Sequence, residues 1–321
     1  MKILMTGSTG FIGSQLVQRL REQEHEVVEM VRYIAGGRYD FYHNNKVVMA
    51  DLRDRDHVEK AVLDTQPEVI VHLAAQSAVS YSFTNAPDVI STNLLGTVAL
   101  AEAARQLPDL KLFINASTSE VYGRPQEIPS YEDSRLGATS PYAVSKLASE
   151  EFLRVLWDAY EFPILIMRPF NTFGRALVGN SHFVVERAIT QAIETRKISL
   201  HDWRPKRDFL FRDEHVDGYV KAIQTVYAGG DLAGETLNLS SGSTWTIKDM
   251  VMSVVRAAVR IENKVVDFEF SEVPDRPLDI PILQGNGQKA LEMIGWEAST
   301  DLDSKIERAY DEWYNRLKFQ Q

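Results

Sequence analysis

Tyr142 and Lys146 stand four residues apart, with Thr118-Ser119-Glu120 a short stretch before them. Residues at that spacing share one face of a helix, one turn apart. Ser140-Pro141 immediately precedes the tyrosine and can start such a helix, placing the pair in its first turns. A lysine there lowers the tyrosine pKa by proximity of charge and can hold a nicotinamide ribose. The phenolate that results removes a proton from an alcohol hydroxyl as hydride departs. Glu120 adds a carboxylate base to this redox pair, which points past simple alcohol oxidation toward elimination or decarboxylation. The plainer alternatives are surface packing for the Tyr/Lys pair and an exposed loop position for Glu120.

Short β-branched runs alternate with amphipathic stretches through the first half. Strands are expected at 2–5, 26–30, 46–49, 68–73, 111–114 and 163–167, and helices near 11–24, 54–65, 88–106 and 141–159. This order predicts an α/β fold, a doubly wound, Rossmann-like parallel sheet with right-handed crossovers. Its carboxyl edge is where ligands of open α/β sheets bind, and the strand ending Ile114-Asn115-Ala116 delivers Ser117 to Glu120 there. After about residue 170 the pattern loosens, with helices near 182–195, 214–228, 246–259 and 301–317. Residues 1–170 are therefore read as the dinucleotide-binding domain carrying the catalytic residues. Residues 171–321 are read as mainly a smaller, mixed α/β substrate lobe, with the chain crossing between the two.

Thr6-Gly7-Ser8-Thr9-Gly10-Phe11-Ile12-Gly13 follows the first strand and opens a helix. Glycines there allow a tight turn and close approach of the backbone to a pyrophosphate, whose charge the helix N-terminus stabilises. The spacing is Gly-x-x-Gly-x-x-Gly, and an ordinary strand–helix turn is the alternative. The second strand ends Met30-Val31-Arg32-Tyr33, without the acidic residue that favours NAD. Arg32 can pair with a 2′-phosphate, so NADP is favoured over NAD. Asp51-Leu52 brings a carboxylate either to the adenine or to the start of the helix near Asp54.

The 321 residues are 44% hydrophobic and 25% charged, the range of a soluble globular chain. No apolar run approaches the roughly 20 residues of a membrane span, and Met1-Lys2 leads straight into a strand, so a cytoplasmic protein is expected. Cysteine is absent, which excludes disulfides, thiolate metal sites and cysteine nucleophiles. A formal charge of -10 argues against general nucleic-acid or anionic-membrane binding. The histidines show no metal spacing: His72 reads as a packed core residue, and His25, His57 and His201 as loop or helix-edge residues. No metal is expected.

The glycine turn, Asp51-Leu52, His72-Leu73-Ala74-Ala75, Asn93, Ser117 to Gly123, Ser140-Pro141-Tyr142 with Lys146, and Arg168-Pro169-Phe170-Asn171-Thr172-Phe173-Gly174 occur together in order. Arg207-Asp208-Phe209-Leu210, Asn238-Leu239, Arg276-Pro277-Leu278-Asp279 and Gly295-Trp296 extend the match over nearly the whole chain. The ensemble resembles an extended short-chain dehydrogenase/reductase acting on nucleotide sugars. Within it, Thr118-Ser119-Glu120 resembles the 4,6-dehydratases of GDP-mannose and of GDP- or UDP-N-acetylglucosamine.

That resemblance implies a cofactor held tightly and recycled, in contact with Gly7, Thr9, Gly10, Phe11, Ile12, Gly13, Arg32, Asp51, Leu52, Leu73, Ala74, Ala75, Asn93, Ser117, Tyr142, Lys146 and Arg168. Thr118 would hydrogen-bond the sugar O4, and Glu120 would take the C5 proton and help water leave C6. Gln76, Ser77 and Ser80 are expected near the sugar, Asn171 and Val184 near the diphosphate and base, and Arg207 and Arg276 on the phosphates. UDP-glucuronate decarboxylases carry the same Thr-Ser-Glu and are the closest competitor. Plain 4-epimerases, which need no such base, are the next alternative, and a dinucleotide-binding regulator is the non-enzyme one. Apolar residues on more than one side of the 88–106 and 141–159 helices, Leu94, Leu95, Val98 and Val155 among them, point to a homodimer built like its relatives through a four-helix bundle. Packing within the chain is the alternative.

Overall fold

The apolar runs read above become strands because each can bury both faces, as a parallel sheet covered by helices requires. The structure, a computed structural model, describes residues 1–32, 46–174, 183–271, 273 and 278–318. Its main strands are β1 (Lys2–Thr6), β2 (Glu26–Val31), β3 (Val47–Met49), β4 (Val69–His72), β5 (Leu112–Ala116) and β6 (Ile164–Pro169). A seventh, Glu235–Leu239, pairs in parallel with β6, Asn238 beside Arg168. The order across the sheet is Glu235–Leu239, β6, β5, β4, β1, β2, β3. Leu4 of β1 lies between Val28 and Ile70, so the chain reverses its winding direction between β1 and β4. A crevice opens at that reversal, outside the carboxyl ends of the strands.

One face of the sheet is covered by helix α1 (Phe11–Glu22) together with the Arg212–Tyr227 and Gln288–Ile294 helices, whose Leu16, Tyr219 and Ala290 share a core with Ile3 and Met5. The other face is covered by the Arg55–Thr65, Gly96–Ala104 and Pro141–Tyr160 helices, with Val58, Leu100 and Leu153 against Leu4 and Phe113. A second core joins the Val184–Glu194, Ile247–Glu262 and Leu302–Lys318 helices around Ile189, Val254 and Trp313. A small cluster of Val121, Tyr122, Phe170, Ile280 and Leu283 lies apart from these cores, and its residues come from both halves of the chain.

Two places depart from the expected elements. The helix expected near 88–106 is three pieces: Ala86–Ile90, a π turn at Ser91–Leu95, and Gly96–Ala104. The wider turn carries Asn93, whose carboxamide clamps the Gln76 backbone, accepting from its N–H at 2.8 Å and donating to its carbonyl at 3.2 Å. The strand at Glu235–Leu239 had no counterpart in the sequence reading. Its Thr236 and Asn238 are polar yet buried, and the alternation conceals a strand covered on both faces.

Candidate active site

Gly7 takes φ +73°, and a Cβ there would sit 2.7 Å from the Ala74 nitrogen. At Gly13 a Cβ would come within 2.1 Å of the Gly7 carbonyl oxygen. Only glycine permits both the turn and the seating of α1 against it. α1 begins with neither a side-chain cap nor an acidic residue in its first turn, which leaves its N-terminal N–H groups and dipole to favour an anion. These features fit the pyrophosphate of a dinucleotide.

The floor beside this turn is set by a relay through His72. The Ala74 N–H donates to Thr6 Oγ1, whose hydroxyl meets His72 Nδ1 at 2.7 Å. On the far side His72 Nε2 lies 3.0 Å from Thr97 Oγ1, and the Thr97 hydroxyl donates to the Asn93 carbonyl. Burial drives the His72 pKa down to about 3, with the Lys146 charge adding to it, so the ring is neutral. His72 is the packed core residue that its place in a strand suggested.

Thr118 caps the short 3₁₀ turn Ser119–Tyr122, its Oγ1 accepting from the Glu120 N–H at 3.2 Å. Ser140 caps the Pro141–Tyr160 helix by accepting from the Ala143 N–H at 3.1 Å. Tyr142 and Lys146 thus enter in its first turns, and Thr118 hydrogen-bonds Tyr142 while the Glu120 charge acts on the same hydroxyl. The expected lowering of the Tyr142 pKa by Lys146 is not what this arrangement produces. Burial pushes the phenol up to about 12, the Thr118 bond pulls it down, and Glu120 raises it. Lys146 is itself lowered to about 8 by burial, against the opposing charge of Glu150, and its Nζ donates to the Ala116 carbonyl at 2.7 Å.

The glycine turn, Thr118, Glu120, Tyr142 and Lys146 face one cavity of about 720 Å³. It brings together Gly7, Thr9, Gly10, Phe11, Ile12 and Gly13 with Arg32, Asp51 and Leu52, and with Leu73, Ala74 and Ala75. Ser117, Thr118, Glu120, Tyr142 and Lys146 line its middle, and Gln76, Ser77, Ser80, Asn171, Val184 and Arg207 complete it. Asp51 does not cap the following helix. Asp54 does, and Asp51 instead binds Arg53 at 2.6 Å and feels the Arg32 charge.

Two expected cofactor residues lie elsewhere. Asn93 is buried behind the cavity wall and acts on it through Gln76. Arg168 is fully buried, its guanidinium forked onto Glu150 at 3.0 and 2.6 Å and bonded to the Tyr122 hydroxyl and the Glu132 carbonyl. Ser117 donates to the same Glu150 carboxylate, so Arg168 supports the Thr118 loop from beneath. Arg276 lies outside the described residues.

Arg207 reaches the cavity held by Asp279 at 2.9 Å and the Ile280 carbonyl at 2.7 Å. Its neighbour Asp208 binds the loop beyond Leu239, accepting from Ser240, Ser241 and Gly242. Arg187 and Asp279, read in the sequence only as parts of longer matching segments, line the cavity, as do His215 and Tyr219, which were not singled out. The i, i+4 spacing of His215 and Tyr219 was the available signal. Among the described residues no group of three acidic or histidine side chains is placed to hold a metal, and no helix is long and apolar enough to cross a membrane.

The profile of the family described as GDP-mannose 4,6 dehydratase matches residues 4–309. The chain belongs to that family. It is an extended short-chain dehydrogenase/reductase, an enzyme family acting on nucleotide sugars. A UDP-glucose 4-epimerase of Mycolicibacterium smegmatis is 31% identical, covering 98% of this chain and 99% of that protein. A probable dTDP-glucose 4,6-dehydratase of Sinorhizobium fredii is 28% identical over 98% of this chain and 93% of its own. The UDP-glucuronic acid 4-epimerase of Bacillus cereus, solved with UDP-glucuronic acid and NAD, superposes with a TM-score of 0.83 at 27% identity, covering 99% of this chain and 100% of that one. The family's members thus include both 4-epimerases and dehydratases, and membership alone does not choose between those reactions.

Proposed function

We propose that this enzyme oxidises C4 of a sugar carried on a nucleoside diphosphate and then removes water across C5 and C6, the reaction of a 4,6-dehydratase. The observation that carries this reading is Glu120, a carboxylate 8% exposed that lines the cavity within electrostatic reach of Tyr142. A nicotinamide dinucleotide bound along the glycine turn supplies the means to accept a hydride and return it. Tyr142 takes the O4 proton as C4 loses hydride, and Thr118 hydrogen-bonds that oxygen. The 4-ketone acidifies the C5 hydrogen, which Glu120 removes as the C6 hydroxyl leaves with a proton as water. Hydride then returns to C6 and a proton to C5. One water is lost, with no net oxidation. Arg207 faces the diphosphate, and GDP-mannose and GDP- or UDP-N-acetylglucosamine are the substrates to try first.

A second reading, 4-epimerisation, has the comparisons behind it at least as strongly, since UDP-glucose 4-epimerases outnumber dehydratases among the relatives compared. There the ketone would be reduced again at C4 from its other face, and Glu120 would have no step to perform. Product mass separates the readings across a panel of GDP-, UDP- and dTDP-sugars that includes UDP-glucuronate. Loss of water supports the proposal. Loss of carbon dioxide, or unchanged mass with inverted C4, overturns it.

For the dinucleotide we hold NADP over NAD on Arg32 alone, which directly follows β2 and lines the cavity, although the Bacillus cereus structure contains NAD. Arg32→Ala should weaken NADP binding about tenfold while leaving NAD within about twofold. Tighter binding of NAD by the unaltered protein would reverse the choice. A homodimer is proposed from the exposed Leu95, Val144 and Val155 on the helices of one face. Light scattering should give twice the 36.4 kDa chain mass, and Leu95→Glu with Val155→Glu should halve it. A monomeric parent protein ends that proposal.

A further inference from the structure

Tyr142, Lys146 and Glu150 follow one another at four-residue intervals on the Pro141–Tyr160 helix, so three successive turns each place one of them along a single stripe. The steps above use the first two. The third is fully buried and is not among the residues lining the cavity. Each of the three holds a different one of the consecutive residues 116–118 at the end of β5. Tyr142 is hydrogen-bonded by Thr118, Lys146 Nζ donates to the Ala116 carbonyl at 2.7 Å, and the Ser117 hydroxyl donates to Glu150 Oε1. The strand end that leads into the Thr118 and Glu120 loop is thus pinned to the helix at three points.

Both Glu150 oxygens are engaged inside the protein. Oε1 also accepts from Arg168 Nε at 3.0 Å, and Oε2 accepts from the other arm of that guanidinium at 2.6 Å while lying 3.5 Å from the partly exposed Arg154, one turn further on. A buried carboxylate is tolerated only when paired and hydrogen-bonded, and these donors meet that condition. The buried ammonium one turn before it has the complementary need. Burial drives Lys146 toward its neutral form, and the Glu150 charge opposes that. The surrounding titratable groups are Tyr142, on which Glu120 acts, the neutral His72 of β4, which feels the Lys146 charge, and Glu132, which feels the Arg168 guanidinium.

We propose that Glu150 is a positioning residue for the hydride step: through Ser117 it fixes the end of β5, and it sets a negative charge against the Lys146 ammonium, without touching a ligand itself. This rests on the reading of Tyr142 and Lys146 as the proton-transfer pair. Two variants separate charge from reach. Glu150→Gln keeps the length and an acceptor oxygen but no charge, whereas Glu150→Asp keeps the charge and draws it back by one methylene. The full ligand-free chain is titrated by NMR with lysine isotope-labelled at Cε, the Lys146 signal being identified by its loss in Lys146→Met. The Lys146 midpoint should fall by about one pH unit in Glu150→Gln and stay within a few tenths of a unit of the parent in Glu150→Asp. The alkaline limb of the pH–rate profile should move down with it in the first variant. Glu150→Asp should instead lower kcat about tenfold with KM within about twofold, because the strand end has lost its hold. A role in packing alone would lower stability in both and leave the titration in place. Should Glu150→Gln fail to fold with Arg168 left charged and unpaired, combining it with Arg168→Met removes both charges and should give the same downward shift. A Lys146 midpoint unmoved by loss of the Glu150 charge overturns the proposal, and so does full kcat in Glu150→Asp. The titration needs no substrate, so a parent protein that turned over no nucleotide sugar would remove the reading of the site while the Lys146 midpoint still decided for or against Glu150.

Discussion

With Tyr142 replaced by phenylalanine, the dinucleotide should bind within about threefold of the parent affinity while turnover falls by about 10²–10⁴-fold, the usual contribution of a positioned proton-transfer group. The expectation is strong because the phenol is buried and hydrogen-bonded to Thr118, so water has no ready route to replace it. It also exposes a difficulty that the residue pattern conceals. A phenol pushed up to about 12 holds its proton at neutral pH, and Glu120 adds to that tendency. Forming the phenolate thus depends on positive charge close by, and Lys146, lowered to about 8, still holds its proton at neutral pH. Below about pH 8 the rate should climb with pH as the phenolate fraction grows. The residual rate of Tyr142→Phe should lack that dependence. Stopped-flow absorbance of the reduced nicotinamide reads both quantities, and a variant turning over within tenfold of the parent would take the O4 proton away from Tyr142.

Glu120→Gln should leave C4 oxidation visible as a transient reduction of the cofactor while the water-loss product falls by about 10²–10⁴-fold. Glutamine keeps the size and the backbone N–H that Thr118 accepts from, so a structural defect is not expected to mimic the loss. The side chain is a base only as carboxylate, and the amide, which still accepts a hydrogen bond, cannot take up the C5 proton. Mass spectrometry of the nucleotide product gives the answer. Full water loss in the variant would move the base elsewhere. Undiminished C4 inversion would mean that Glu120 serves no chemical step and that the epimerase reading holds.

The lining of the central cavity was legible in the sequence where one local pattern determines both conformation and position. The Gly7 to Gly13 turn, the Ser140-Pro141 start and the Tyr142/Lys146 spacing are of that kind, and all meet at one sheet edge. Side chains whose direction depends on long-range packing were not legible. Arg168 lies next to the last residue of β6 near the cavity, yet its partner Glu150 comes from a helix on one face and turns the guanidinium away. Asn93 acts through a π turn, which no periodicity of the sequence announces. Asp279 is met only because a distant segment brings it to Arg207. The buried Asn238 is polar by composition and is satisfied by the Tyr122 hydroxyl and the Ser130 carbonyl, partners more than a hundred residues away.

The relay through His72 has a direction. Since the Thr97 proton is committed to the Asn93 carbonyl, the imidazole must give its own proton to Thr97 and take one from Thr6. Moving that proton to the other ring nitrogen would set lone pair against lone pair at Thr97 and leave the Thr6 hydroxyl without an acceptor. The first, fourth and π-turn segments are therefore joined by a one-way chain that reads the same from Ala74 to Asn93 at any pH well above about 3. A lysine or arginine in place of His72 would supply only donors and leave Thr6 with nothing to donate to. The strand position thus selects for a neutral ring with unlike ends, although that ring is not among the residues lining the cavity.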